Sequence, residues 1–354
     1  MQNVFHFLTL SMLKILGRTP SAGQRAARIA ASPYYQNGAF RNIEPTTVQS
    51  ADFSILKLLR QYMNKPADIR AKAIPSVQPD FNVQGKDIHI IWLGHSSYWI
   101  YAGGTTILVD PVLSGYASPF SFIMRSFPGS DPIKPAHIPP VDIVLITHDH
   151  YDHLDYECIR QIKAGQYIMP LGVGEHLEYW GISPALITEL DWYQSHRYHD
   201  KGITFTALPS RHFSGRSLRR AQTLWAAFLL DLPGGRRIFA GGDSGYDARF
   251  KEIGWDFPGI DLAILDGAQY GEGWPLIHMK PEQTAQAAMD LGTKALLPVH
   301  WGKFNLSLHP WKEPVQRLLK AAQNMPYHIL LPSIGQRIGI DERREWEKWW
   351  EKAH

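Results

Sequence analysis

The chain is poor in cysteine, in long apolar runs and in blocks of one charge. A single cysteine, Cys158, stands among 354 residues, so no intramolecular disulfide can form and the fold does not depend on an oxidising compartment. Without a CxxC partner this thiol is a poor redox or metal candidate, and it reads as a packed core residue. No long Lys/Arg block is present, which removes the main sequence argument for nucleic acid as a partner. No apolar run reaches the ~20 residues a helix needs to cross a bilayer. The most apolar stretch, residues 4–16, is broken by His6 and Lys14 and has no basic region ahead of it. It therefore makes a weak signal peptide and reads as a helix docked on the protein's own core or lying at a membrane interface. The expected location is cytoplasmic or peripheral to a membrane, with no transmembrane helix.

What the chain does have is ordinary for a globular protein: 44% hydrophobic and 19% charged residues, at a length that buries a sizeable core. The formal charge of +3 suits a small anionic substrate or a lipid surface without demanding either. Residues 1–86 are polar and proline-dotted, with one helical stretch at Phe53–Asn64, and read as an N-terminal extension. Residues 87–340 form the main domain. Ile88–Leu93, Ser97–Tyr101, Thr106–Val109 and the continuous apolar run Val141–Thr147 predict strands, and Leu154–Lys163 predicts a helix. A second series follows at Ile203–Leu208, Thr223–Leu230, Arg237–Ala240, Leu262–Leu265 and Ala295–Pro298, with a helix at Pro281–Leu291. Two such series predict an α/β architecture: two mixed sheets face to face with helices outside. Residues 341–354, charged and Trp-containing, read as a C-terminal helix.

Directly after the run VDIVLIT stands His148-Asp149-His150-Tyr151-Asp152-His153. Imidazole and carboxylate in this density suit zinc and its first-row neighbours, and a buried strand would fix them at a rigid rim. Three more candidates each follow a predicted strand: His212 after ITFTALPSR, Asp243 in AGGDSGY and His300 in PVHWG. Together they give seven ligands, enough for two metal ions with an aspartate between them. Asp110, at the end of ILVD, is placed to orient a ligating histidine or to cap a turn, and His95 in LGHSS to support the site from behind or to cap the turn after the first strand.

The motif HDHYDH, with His212, Asp243 and His300 in order, resembles the HxHxDH signature of the metallo-β-lactamase superfamily. The stretches IIWLGHSSYWI, PPVDIVLITHDHYDHLDY, TALPSRHFSGR, FAGGDSGY, IHMKPEQTAQ and PVHWGKFNLSLHP resemble the branch of N-acyl-phosphatidylethanolamine-hydrolysing phospholipase D and its bacterial relatives, from about Asp87 to Pro314. The resemblance implies an αβ/βα metallo-β-lactamase sandwich. It implies one zinc on His148, His150 and His212 and a second on Asp152, His153 and His300, bridged by Asp243, with manganese or iron as alternatives. It further implies a hydroxide between the ions as nucleophile, with Asp152 and His278 as catalytic residues. The substrate would be a phospholipid or another small anion, with peripheral membrane contact and room for a homodimer. Tyr151 is expected along the substrate path, with Trp180, Trp192 and Trp274 as candidates to face an acyl chain. The chain departs from the family in two places. Arg216, with Arg219 and Arg220, follows His212 where the family has a lysine, and either replaces that charge at a phosphate or forms a solvated basic loop; Asp266 stands where the family has a neutral residue that would not repel a phosphodiester. A lactonase or phosphorylated-sugar hydrolase is the alternative enzyme. A non-catalytic, membrane-associated metal-binding regulator is the alternative of another class.

Overall fold

The computed structural model describes residues 14–20, 22–198, 201–217 and 219–353. Residues 4–13 of the apolar N-terminal stretch lie outside the described residues. Its end is pinned to the body: Lys14 O accepts from the Trp180 indole at 2.6 Å and Ile15 O from Arg216 at 2.8 Å. The chain continues through α1 (Gly23–Ala31), the short hairpin β1 (Tyr35–Gln36) and β2 (Ala39–Phe40), and α2 (Ile55–Met63). This N-terminal part does more than wrap the outside. Ile29, Phe40, Ala71 and Ile74 are buried in the main core, and Arg25 on α1 pairs with Glu175, Glu178 and Glu189.

Two seven-stranded sheets follow. The first contains β3 (His89–Trp92), β4 (Tyr98–Ala102), β5 (Thr105–Val109), β6 (Val141–Leu145), β7 (Ala164–Pro170) and β8 (Ile187–Leu190). Helices α3 (Tyr156–Gln161) and α4 (Gly174–Tyr179) belong to it. The second contains β9 (Ser195–Tyr198), β10 (Ile203–Leu208), β11 (Ala227–Leu232), β12 (Arg236–Ala240), β13 (Leu262–Asp266), β14 (Ala295–Val299) and β15 (His328–Ile329). Helices α5 (Arg249–Asp256), α6 (Pro281–Asp290) and α7 (Glu313–Ala321) accompany it. Strand β16 (Arg337–Gly339) returns to pair with β3, and α8 (Trp349–Lys352) ends the fold. Both sheets are mixed: β3–β4–β5 and β9–β10–β11–β12 are antiparallel, β5–β6–β7–β8 and β12–β13–β14–β15 parallel.

Alternation along the strands makes three apolar layers. Ile100, Ile107, Ile143 and Leu145 of the first sheet share the central core with Phe228, Leu230, Ile238 and Ile264 of the second. The opposite faces carry Leu108 and Val144 against Ile159 of α3 and Leu177 of α4, and Phe239 and Ala263 against Phe250 of α5 and Ala285 of α6. Burial on both faces explains why VDIVL, LAILD and ALLPV read as continuous apolar runs rather than as alternating ones.

The C-terminal tail differs from the expected 14-residue helix. Only four of its described residues are helical, and their purpose is packing: Trp349 and Trp350 are buried in the central core. Trp301, the residue after His300, has its ring centroid 5.5 Å from that of Trp92 and 5.0 Å from that of Trp349. Trp349→Ala is expected to cost about 3–5 kcal/mol, as for other large-to-small changes at fully buried aromatics. A urea midpoint unchanged from wild type would contradict this.

Candidate metal centre

Strands β6, β10, β12 and β14 each end just before a candidate ligand, and the chemistry gathers at those ends. Strand β6 ends because the chain is diverted: Ile146 N still donates to Ile168 O at 2.9 Å, but Thr147 N turns to Asp110 Oδ1 at 2.8 Å. The metal loop then closes on itself, with His153 N and Leu154 N both donating to His150 O. Asp155 is extended and caps the next helix by accepting from Glu157 N at 2.9 Å. This is why α3 begins at Tyr156 rather than at the expected Leu154.

All seven candidate ligands converge. His148 Nε2 and His212 Nε2 lie 2.9 and 3.2 Å from His150 Nδ1. On the other side Asp152 Oδ2 lies 3.5 Å from His153 Nε2 and 3.9 Å from His300 Nε2. Asp243 sits between the two groups. Its Oδ1 is 3.1 Å from both His153 Nε2 and His300 Nδ1, while its Oδ2 is 3.8 Å from His148 Nε2 and 3.7 Å from His212 Nε2. One carboxylate oxygen therefore faces each histidine group.

The donor set fits metal ions on two independent grounds. First, His153 Nε2, His300 Nε2 and Asp243 Oδ1 are buried without a hydrogen-bond partner, which is costly unless something else binds them. His212 Nδ1 lies 2.9 Å from Ile277 O, so that nitrogen carries the proton and Nε2 presents a bare lone pair to its neighbours. Second, burial pushes the pKa of His148, His150 and His212 down, keeping them neutral, as ligands must be. His153 goes the other way. Burial opposes its charge, but Asp243, Asp152 and Asp110 together hold its pKa well above the usual histidine range. That is the electrostatic signature of a pocket built to hold positive charge.

Outer contacts fix the ring orientations. Asp110 Oδ2 lies 2.8 Å from His153 Nδ1 and also accepts from the Thr147 hydroxyl at 2.6 Å. His95, fully buried, sits 3.1 Å from Asp152 Oδ2. Sequence reasoning overlooked Ser96, whose hydroxyl is 2.9 Å from His300 Nδ1. It also overlooked Asp149, the one carboxylate of the loop turned away from the cluster. Asp149 lies 3.0 Å from His176 Nε2 and accepts from Gly215 N at 2.6 Å and the Thr223 hydroxyl at 2.8 Å, tying three segments together. Only an aspartate between the motif histidines marked it.

Backbone constraints are sharp at Gly242, which precedes Asp243. Its φ is +58°, and a Cβ there would lie 2.9 Å from Thr147 Cβ. Gly242→Ala is expected to destabilise the fold by about 1–3 kcal/mol and to lower metal occupancy by shifting Asp243. Thermal melts and metal content of the variant check both, and wild-type values would contradict the fit.

Other residues singled out from the sequence divide. His278 and Asp266 join the site: His278 Nδ1 is 2.8 Å from Asp266 Oδ2 and 3.9 Å from Asp243 Oδ2. Arg216, expected at a phosphate, is instead buried. Its Nη1 donates to Asp149 O and Leu154 O and its Nη2 to Ile15 O, so it braces the metal loop from behind. Tyr151 is half-buried, donates its hydroxyl to Arg216 O at 2.8 Å and stacks under that guanidinium at 4.0 Å. Trp180 and Trp192 are in the core and cannot face an acyl chain. Trp274 instead lines a cavity of about 600 Å³ between α2 and residues 270–274 and 307–309. That cavity does not include the clustered histidines, but its wall is part of the loop that runs from Asp266 to His278.

Comparison with known proteins agrees with this geometry. Residues 105–301, more than half of the chain, match the family described as "Beta-lactamase superfamily domain". The chain belongs to the metallo-β-lactamase superfamily and is a metal-dependent hydrolase by fold and family. Within it, the chain falls in the branch similar to N-acyl-phosphatidylethanolamine-hydrolysing phospholipase D. The Caenorhabditis elegans protein of that name, phospholipase D 1, is 27% identical over 297 residues, covering 77% of this chain and 82% of that one. An uncharacterized protein of Mycobacterium tuberculosis is 38% identical over 356 residues, covering 96% and 94%. Among solved structures, the metallo hydrolase Igni18 of Ignicoccus hospitalis superposes with a TM-score of 0.56 at 17% identity, covering 73% of this chain and 100% of that one. That likeness is one of fold.

Proposed function

We propose that the protein cleaves the phosphodiester of an N-acylated phosphatidylethanolamine or a related phospholipid, with two zinc ions as cofactors. The observation that carries this reading is Asp243, whose two oxygens face two separate histidine groups. His148, His150 and His212 would hold one ion and Asp152, His153 and His300 the other, with Asp243 shared. Ions so placed supply an acidified water and neutralise charge building on the phosphoryl oxygens.

The chain's own residues supply the remaining steps. Water attacks phosphorus, the bond to the ethanolamine oxygen breaks, and that oxygen needs a proton as it leaves. His278 is the group that holds one. Burial alone would strip it of that proton, but Asp266 and then Asp243 outweigh the burial and raise its pKa above the usual histidine value. With Nδ1 engaged by Asp266, Nε2 is the donor for the leaving alcohol. The same pair removes the objection raised by the sequence. Burial lifts the Asp266 pKa to about 6, and His278 offsets what charge remains, so an anionic phosphodiester meets no lone carboxylate.

The test is incubation of the metal-replete protein with N-acylated phosphatidylethanolamine in mixed micelles. Release of an N-acylethanolamine and a phosphatidic acid is expected. No alcohol released from this or any other glycerophosphodiester would sink the reading.

A further inference from the structure

Backbone strain collects around the cluster. His300 is held at φ +68°, His95 at +52° and Asp110 at +41°, a left-handed conformation uncommon outside glycine. Gln269, at φ +58°, shares this conformation although it is no candidate ligand. Such backbones persist only where their surroundings over-determine them, and they gather at functional sites.

Gln269 is buried on the loop between β13 and α6, and each of its polar atoms is engaged. Its N–H donates to His309 Nε2 at 3.0 Å, and its carbonyl accepts from the Trp274 indole at 2.8 Å. Its side-chain oxygen accepts from Leu306 N at 2.9 Å. Its Nε2 donates to His300 O and to Phe304 O, both at 3.2 Å. Carbonyls on one side and an N–H on the other settle which end of the amide is nitrogen. A carboxylate of the same shape could accept from Leu306 N, but it would set its second oxygen against two carbonyls.

The bond to His300 ties this loop to the site. His300 leaves β14 at a turn in which its N–H donates to His95 O at 3.0 Å. Gln269 holds the carbonyl of the same residue, so the backbone is fixed on both sides of the imidazole that faces Asp152 and Asp243. Among the described residues no other donor reaches His300 O or Phe304 O. Without the amide both acceptors lose their partner in a buried setting, and the loop must shift to recover one. No bond of Gln269 reaches the segments that carry His148, His150 and His212.

We propose that Gln269 is a positioning residue for one of the two ions. It clamps His300, and so sets affinity at the position formed by Asp152, His153 and His300 while leaving the position of His148, His150 and His212 unchanged. This unequal dependence rests on the two-ion reading of the cluster.

The experiment is a cobalt titration of the metal-stripped full chain, followed by the visible absorption of the bound ion, with no substrate present. Gln269→Gly is the informative variant, because glycine accepts a φ of +58° without strain and keeps the backbone bonds to His309 and Trp274. Wild type is expected to take up two equivalents. In Gln269→Gly one equivalent is expected to bind as in wild type and the other about 10–100-fold more weakly, the usual effect of losing an outer contact to a ligand. Gln269→Glu, which keeps the acceptor and removes the donor, is expected to show the same selective loss. Two tight equivalents in either variant, even with a lowered melting temperature, would assign Gln269 to folding alone and overturn the proposal, leaving the two-ion reading in place. Equal weakening of both equivalents would overturn it too. A wild type that bound no cobalt would remove the two-ion reading and the proposal together. Turnover supplies a second readout. The loss in Gln269→Gly is expected to be the same for an alkoxide and a nitrophenolate leaving group, because the residue acts through an ion and not through His278. A loss confined to the alkoxide would place Gln269 with His278 and overturn the proposal.

Discussion

Asp243→Asn is expected to lower turnover by about three orders of magnitude, equivalent to roughly 4 kcal/mol of lost transition-state stabilisation, and to leave the protein short of metal. The amide matches the carboxylate in shape, so packing around the residue is preserved. It cannot match its electrostatics. Asp243 presents one oxygen to His153 and His300 and the other to His148 and His212. In asparagine one of these becomes an NH2 group, which donates hydrogen bonds and offers no lone pair to a cation. One ion would lose a ligand outright, and the site would lose the negative charge that both ions share. Metal content and turnover, measured on the same preparation, check the expectation. A variant that kept both ions and wild-type activity would show that Asp243 does not bridge.

His278→Ala is the second large effect, a loss of about 10²–10⁴-fold, the usual contribution of a positioned proton donor. The size alone would not separate proton donation from a structural role, but the leaving group does. An alkoxide leaving from phosphorus needs a proton, whereas a nitrophenolate leaves without one. The loss in His278→Ala is therefore expected to shrink toward unity on a nitrophenyl phosphodiester. Asp266→Asn should show the same dependence at smaller amplitude, because it removes only the carboxylate 2.8 Å from His278 Nδ1. Equal losses on both kinds of leaving group would contradict the role.

Much of this architecture was legible before the structure, and the reasons are physical. Strands buried on both faces, such as β6, β13 and β14, leave continuous apolar runs that need no tertiary information to be read. The ligands were legible because each follows such a run, so the rim of the sheet could be placed from sequence order alone. The edge strands β8 and β9 were not seen. Their sequences ITEL and SHRY are short and half-exposed, and alternation cannot build up over so few residues. Strand β7 was missed because Gly165 stands second in it and Pro170 closes it.

Long-range contacts were the other blind spot. Thr223–Ala226 reads as the start of strand β11. It instead crosses to the first sheet, where Leu224 N donates to Leu171 O and Ala226 N to Thr147 O. Arg216 was a candidate for a phosphate or a solvated loop because charge is visible in sequence, while the backbone carbonyls that claim it are not. The uncovered apolar face of α2 had the same cause: periodicity shows that a helix is amphipathic, not whether the protein covers its apolar side.

Elemental analysis of the protein purified without chelators asks directly whether the histidine–aspartate cluster is a two-ion centre. Two ions per chain, zinc foremost, are expected, falling in His150→Ala as turnover is lost. Protein that is folded, carefully prepared and free of bound metal would contradict it.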